Sequence, residues 1–139
     1  MLTDSYSRKL FHYAALWNWC AATPFYFLLR PILTILRMRQ PVYTIFAKLF
    51  LALVMTFGYG YHQVSRDLYG NDLVIKMGIV GKTWVFLLMF IDGIRRRINP
   101  IFIAVGTVDL VFAVLFMHFL KNRGKPVQVQ SSASALTEN

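Results

Sequence analysis

Charged residues are scarce in this sequence of 139 residues, since they make up 15% of it, whereas ordinary soluble domains carry roughly 25%. Hydrophobic residues make up 57% and aromatic residues 16%. This imbalance argues against an ordinary soluble domain. It indicates a membrane protein, whose length is enough for one domain.

Cysteine is almost missing. The single Cys20 allows no internal disulfide, and the sequence has neither a CxxC pair nor a Cys/His cluster that would suggest metal. His12, His62 and His118 are expected near one membrane face, where lone interfacial histidines are commoner than metal ligands. No metal site is therefore predicted, and Cys20 is interpreted as a small buried residue.

Nucleic acid is not an expected partner, although the net charge is +9. The basic residues form short clusters between apolar runs, which is typical of segments that flank membrane crossings. Membrane lipids with acidic headgroups are the natural counter-charge, so they are the expected partners.

Catalytic motifs are missing too: the sequence has no Gly-rich phosphate loop, HExxH motif or Gly-x-Ser-x-Gly elbow.

Four apolar runs are each long enough to cross a bilayer, whose hydrocarbon is roughly 30 Å thick, at about 1.5 Å per helical residue. They predict helices at residues 10–29, 43–64, 72–94 and 101–120. Residues 30–42 combine isoleucines and leucines on one side with arginines on the other. This amphipathic pattern predicts a short helix in the membrane interface. The predicted fold class is all-α: a transmembrane four-helix bundle over residues 1–120, with a short interfacial helix between helices 1 and 2. Residues 121–139 are predicted to be a disordered polar tail.

Orientation is weakly encoded, because six basic residues fall on the side of the termini and six on the opposite side. The first set is Arg8, Lys9, Arg66, Lys121, Arg123 and Lys125, and the second is Arg30, Arg37, Arg39, Arg95, Arg96 and Arg97. We expect a bacterial inner membrane with both termini in the cytoplasm.

Small residues predict where helices approach each other. Gly78 and Gly81 in the third helix and Gly106 in the fourth are expected to pack against neighbouring backbones. Near the end of the third helix, Asp92 and Arg96 are four residues apart and are predicted to form an ion pair.

Two opposite charges lie deep in the predicted crossings. Lys82 is about ten residues into the third helix, roughly 15 Å deep, and Asp109 is about eight residues into the fourth, roughly 12 Å from the other surface. An unpaired charge at such depth costs at least about 2.5–3.5 kcal/mol, so Lys82 and Asp109 are predicted to pair, with Asn18 near them. The pair is either a structural clamp or the polar centre of a ligand-binding or proton-linked site.

The second turn holds a further candidate site, formed by Arg66, Asp67 and Asn71. Arg66 could hold a lipid phosphate or an anionic substrate through two hydrogen bonds. The alternative is a loop salt bridge, with Asn71 bonded to the backbone of the turn.

A family resemblance rests on residues spread over most of the chain. These are Trp17-Asn18, Pro24, the segment GYGYHQVSRDLYGNDLVIKMGIVGK and Asp109. Together they resemble a group of small, DoxX-like bacterial integral membrane proteins with four predicted helices. This sequence has Leu68 where a proline often follows the Arg-Asp pair. The resemblance implies a fold and no agreed activity.

Two functions are predicted as alternatives. The first is a non-enzymatic subunit, scaffold or accessory, with a lipid or quinone between its helices and a membrane protein partner or second copy beside it. The second is a small intramembrane enzyme or carrier that acts on a lipophilic substrate at Lys82 and Asp109. A wide cavity that meets Lys82, Asp109 and Asn18 favours the second, and a closed core favours the first.

Overall fold

A computed structural model describes residues 4–123, which form four helices and no strand. The helices are α1 (Asp4–Ile35), α2 (Thr44–Arg66), α3 (Asp72–Ile94) and α4 (Ile101–Asn122). Three of them, α2, α3 and α4, are long and apolar enough to cross a membrane. The predicted all-helical fold is therefore confirmed, and three of the four predicted crossings have the length and composition of a membrane span. α1 is not among the three, and it holds nine of the buried residues, against four in each other helix.

The first helix corrects the predicted boundary at residue 29. α1 runs on to Ile35, with a kink at Leu28, whose φ of −113° and ψ of 29° are not helical. Pro31 has no N–H to donate to the carbonyl of Phe27, and its ring crowds that carbonyl, which accounts for the kink beside it. The kink at Leu28 divides α1 into two helical segments, and the second segment covers residues 30–35 of the short interfacial helix predicted at residues 30–42. Residues 36–43 are not helical, so that predicted helix ends early.

The helices pair as two hairpins, α1 with α2 and α3 with α4. In the first hairpin, the indole Nε1 of Trp19 donates a hydrogen bond to the carbonyl of Met55 at 3.1 Å. A Cβ on Gly58 would lie 2.6 Å from that Nε1, so glycine is needed there. In the second hairpin, a Cβ on Gly106 would lie 3.3 Å from the Cα of Phe86. The predicted close approach at Gly106 is therefore present.

The two hairpins meet in an aromatic core near the termini. The ring of Phe11 lies 4.6 Å from that of Phe116 and 5.3 Å from that of Phe119, measured between centroids. The ring of Tyr61 lies 5.2 Å from that of Phe116. A Cβ on Gly78 would lie 2.7 Å from the Tyr61 ring, so the predicted packing glycine is where α3 approaches α2.

Polar contacts tie the start of α1 to the α2–α3 connection. Arg8 Nη1 donates to the carbonyl oxygens of Ser65, at 3.1 Å, and Arg66, at 2.6 Å. The hydroxyl of Tyr69 donates to Asp4 Oδ1 at 3.0 Å, and this hydrogen bond raises the pKa of Tyr69. The end of the protein that carries the termini is thereby stabilised by contacts distant in sequence.

The predicted tail begins too early. α4 continues to Asn122, and Arg123 forms an ion pair with Asp72 at the start of α3. This contact explains why the chain stays ordered past residue 120. The rest of the predicted tail, residues 124–139, lies outside the described residues.

At the opposite end, the turns of the two hairpins touch. Asn99 Nδ2 donates to the carbonyl of Leu36 at 3.1 Å. Asp92 pairs with Arg97, at 3.4 Å, and not with Arg96 as predicted. The helical spacing behind that prediction is lost there, because α3 ends at Ile94 and Arg96 has a left-handed φ of 54°.

Candidate functional site

Lys82 and Asp109 form an ion pair in the protein interior, where their side chains are 6% and 14% exposed. The Nζ of Lys82 donates to Oδ1 of Asp109 and also to Oδ1 of Asn18, at 3.0 Å. The structure thus brings together three side chains from α1, α3 and α4 that sequence analysis assigned to one polar centre.

The surroundings of Lys82 compensate its charge further. The ring centroids of Tyr61 and Phe112 each lie 5.4 Å from Nζ, within the range of cation–π attraction. Asn18 is held in turn, because its Nδ2 donates to the carbonyl of Val54 at 3.1 Å. A carboxylate, an amide oxygen and two aromatic rings therefore face the ammonium group, as a buried charge requires.

A cavity of about 740 Å³ lies between the two hairpins and ends at this polar centre. Its lining is almost entirely apolar, apart from Asn18, Tyr61, Lys82 and Asp109 at one end. Binding sites for small molecules commonly have such a volume, with mostly apolar walls and a few polar groups that orient the ligand. The cavity has the composition of a site for a lipophilic molecule.

The cavity is open to the protein surface. Exposed Cys20 of α1 and Ile101 of α4 line it, as do exposed side chains of α2 and α3. The latter are Phe50 and Leu53 on α2, and Trp84 and Leu88 on α3. These residues are in the middle of helices that are apolar enough to span a membrane. In a membrane that these helices span, the exposed lining of the cavity would face the hydrocarbon.

Gly81 has a different role from the predicted one. A Cβ at this position would meet no atom within 4 Å, so Gly81 packs against no neighbouring helix. It lines the cavity instead, one residue before Lys82. The absence of a side chain leaves space beside the polar centre.

Several polar atoms at this end of the cavity have spare hydrogen-bonding capacity. Lys82 has three N–H groups, and two protein oxygens accept from them. Within residues 4–123, neither the hydroxyl of Tyr61 nor Oδ2 of Asp109 has a hydrogen-bond partner. One donor cation, one hydroxyl and one carboxylate oxygen can therefore contact a polar group on a ligand.

Arg66, Asp67 and Asn71 are not part of this centre, and none of them lines the cavity. Oδ1 of Asp67 accepts from the backbone N–H groups of Tyr69, at 3.2 Å, and Gly70, at 3.0 Å. Asn71 Nδ2 donates to the carbonyl of Asp67 at 3.0 Å, so both side chains stabilise the turn. Their role in binding a ligand stays a prediction, and no Arg66–Asp67 ion pair forms among the described residues.

The histidines and the cysteine are dispersed. The rings of His12 and His62 lie 6.1 Å apart, whereas His118 contacts Asn122. Over residues 4–123, no group of three His, Cys, Asp or Glu side chains could hold a metal ion. Cys20 is exposed, not buried as interpreted from the sequence, and it lines the cavity.

Sequence reasoning missed Tyr61 and Phe112 as parts of the site. Tyr61 is 1% exposed, yet the sequence analysis did not name it as a core residue. A signal was present, because Gly78 and Lys82 are four residues apart and share one face of α3. A bulky partner on α2 can approach that face at Gly78 and reach Lys82. Nothing in the sequence marks Phe112 among the other aromatic residues of α4.

No family model, curated protein or solved structure matches this chain. The resemblance to DoxX-like proteins stays a prediction from the residues quoted above. The fold and the site define a class: a helical membrane protein with a cavity that ends at a buried ion pair. Its function has to be inferred from that cavity.

Proposed function

We propose that this chain is a small integral membrane protein that binds and carries a lipophilic molecule taken from the bilayer. The proposal is supported by one observation above the others: the cavity of about 740 Å³ ends at Asn18, Lys82 and Asp109. A passive scaffold needs no such cavity. The observation therefore favours the carrier among the alternatives drawn from the sequence.

The polar end of the cavity suits a neutral group with an oxygen acceptor. Lys82 and Asp109 neutralise each other, so a charged ligand would lose its hydration without gaining an unpaired counter-charge. A carbonyl oxygen can accept from Lys82 or Tyr61 while the rest of the molecule contacts the apolar walls. A neutral lipid and a quinone both have this chemistry.

Gly81→Phe tests the proposal, since it places a ring in the open space beside the polar centre. The full-length protein is purified in mild detergent, and co-purifying molecules are identified by mass spectrometry. One lipophilic species is expected to be enriched over the bulk lipid, and its amount is expected to fall by about tenfold in Gly81→Phe, since each 1.4 kcal/mol of lost affinity is tenfold.

Leu87→Phe is the matched control, because Leu87 is exposed on the same helix and does not line the cavity. It adds a ring without filling the cavity, so the species should stay bound. Equal amounts of the species in Gly81→Phe and the wild type would contradict the proposal. So would the absence of any enriched species.

The proposed location is the bacterial inner membrane, with both termini in the cytoplasm. Cys20→Ala removes the exposed native thiol, and Lys9→Cys or Arg96→Cys then marks one end of the helices. A membrane-impermeant thiol reagent is expected to label Arg96→Cys in intact cells, and Lys9→Cys only after permeabilisation. The reverse pattern would invert the orientation and leave the carrier proposal unaffected.

A further inference from the structure

Positive charge is concentrated at the end of the helices opposite the termini. Six exposed arginines lie at this end, and we call them the arginine face: Arg30, Arg37, Arg39, Arg95, Arg96 and Arg97. Within residues 4–123, Asp92 is the single carboxylate near them, and it contacts Arg97. At the other end, within residues 4–123, the three carboxylates of Asp4, Asp67 and Asp72 offset half of the charge of six basic residues: Arg8, Lys9, Arg66, Lys76, Lys121 and Arg123.

The arginines come from both hairpins but belong to one surface. Asn99, in the α3–α4 connection, donates to the carbonyl of Leu36, which follows α1. This contact holds Arg37 and Arg39 on the same side of the protein as the arginines that follow α3. The arginine face thus combines arginines of the two hairpin turns, which this hydrogen bond joins.

α1 ends in a Schellman motif, in which two backbone N–H groups return to the last turn. The N–H of Met38 donates to the carbonyl of Leu33 at 2.9 Å, and that of Arg37 to the carbonyl of Thr34 at 3.0 Å. The motif places Arg37 at the left-handed position, with a φ of 54°.

α3 ends in the same motif. The N–H of Arg97 donates to the carbonyl of Asp92 at 2.9 Å, and that of Arg96 to the carbonyl of Gly93 at 3.1 Å. Arg96 has a φ of 54° as well, and within residues 4–123 only it and Arg37 have positive φ. Glycine is the usual residue at this position, because a Cβ strains the left-handed backbone. Each hairpin thus has an arginine where glycine would fit the backbone better.

We propose that the arginine face binds the phosphate of an anionic phospholipid, and that Arg37 and Arg96 are its central contacts. Guanidinium groups bind phosphate oxygens through paired hydrogen bonds. Arginines just beyond the ends of spanning helices lie at the level of the lipid headgroups, where anionic lipids attract them. A phosphate between Arg37 and Arg96 links the ends of α1 and α3, which belong to different hairpins.

The double variant Arg37→Gly/Arg96→Gly tests lipid binding without an expected loss of folding stability. The full-length protein is purified in neutral detergent and titrated with phosphatidylglycerol, and bound lipid is measured by native mass spectrometry. The affinity is expected to fall by about tenfold or more, because each arginine near an anionic surface contributes about a fivefold factor. The thermal midpoint without lipid should not fall, because glycine removes the strain at φ 54°.

Lys9→Gln/Lys121→Gln is the matched control, which removes two charges from the other end of the protein. Its affinity for phosphatidylglycerol should stay within about twofold of the wild type, because screening weakens charges more than a Debye length of about 10 Å away. Arg39→Gln/Arg95→Gln provides a second test at exposed positions with ordinary backbone angles, and it should weaken binding as well.

Three results would overturn the proposal. The first is unchanged phosphatidylglycerol affinity in Arg37→Gly/Arg96→Gly, which would leave the two arginines as capping residues at the negative ends of the helix dipoles. The second is equal binding of phosphatidylcholine, which carries no net charge. The third is binding of inorganic phosphate alone with an affinity equal to that of phosphatidylglycerol in the same titration, which would assign the site to a free anion.

Discussion

Lys82→Met is expected to lower the free energy of unfolding by about 3 kcal/mol, because it leaves the carboxylate of Asp109 without its partner in the protein interior. Asn18 and the ring of Phe112 cannot replace a cation. Lys76→Met is the control, since Lys76 is an exposed lysine on the same helix. Its effect should stay within about 0.5 kcal/mol. Unfolding of the purified protein by denaturing detergent measures both.

The double variant Lys82→Met/Asp109→Leu completes a double-mutant cycle, which tests whether the loss of stability comes from the unpaired carboxylate. Replacing a buried ion pair by apolar residues of similar volume is often neutral, so the double variant should recover most of the loss. Equal stabilities of Lys82→Met and the wild type would show that the pair is not coupled. If the double variant folds and still retains the co-purifying lipophilic molecule, the pair is a structural clamp and does not bind the ligand.

Gly78→Ala is expected to lower the free energy of unfolding by about 2 kcal/mol, since overpacking a close contact typically costs 1–3 kcal/mol. The new methyl group would lie 2.7 Å from both Cε1 and the hydroxyl of Tyr61. The ring cannot yield freely, because it also contacts Phe116 and lies under the ammonium group of Lys82. The change in the denaturation midpoint gives the measurement.

Gly81→Ala supplies the comparison, three residues along the same helix. No atom lies within 4 Å of the new methyl group, and alanine favours a helix over glycine by about 1 kcal/mol, so a neutral or stabilising effect is expected. Similar destabilisation by both substitutions would mean that helix propensity and lipid contact, not the approach of Tyr61, determine the response of α3.

The length of apolar runs was sufficient to predict the helices in the second half of the chain. α3 spans residues 72–94, as predicted, because polar connections flank a run of one bilayer length. The break predicted after residue 29 lies beside the kink at Leu28, whereas the continuation of α1 past Pro31 to Ile35 was not predicted. Proline inside a helix is tolerated where neighbours or local adjustment satisfy the freed carbonyl, which sequence alone does not reveal.

The ion pair was predicted from the depths of Lys82 and Asp109 in the bilayer. These depths are similar when residues are counted along two antiparallel helices. The cavity could not be predicted in this way, because its size depends on where the two hairpins separate. Arg123 was missed for a related reason. Its partner, Asp72, is 51 residues away in the sequence, and only the fold brings them together.

For the carrier proposed above, the position of the cavity among the spanning helices determines which quantity controls occupancy by the ligand. A molecule that enters past the exposed lining of the cavity comes from the two-dimensional pool of the bilayer and does not pass through water. Occupancy then follows the mole fraction of the ligand among the lipids, and every neighbouring acyl chain is a competitor. The apolar walls cannot distinguish a rare ligand from such chains, so selection must come from the few polar atoms around Lys82.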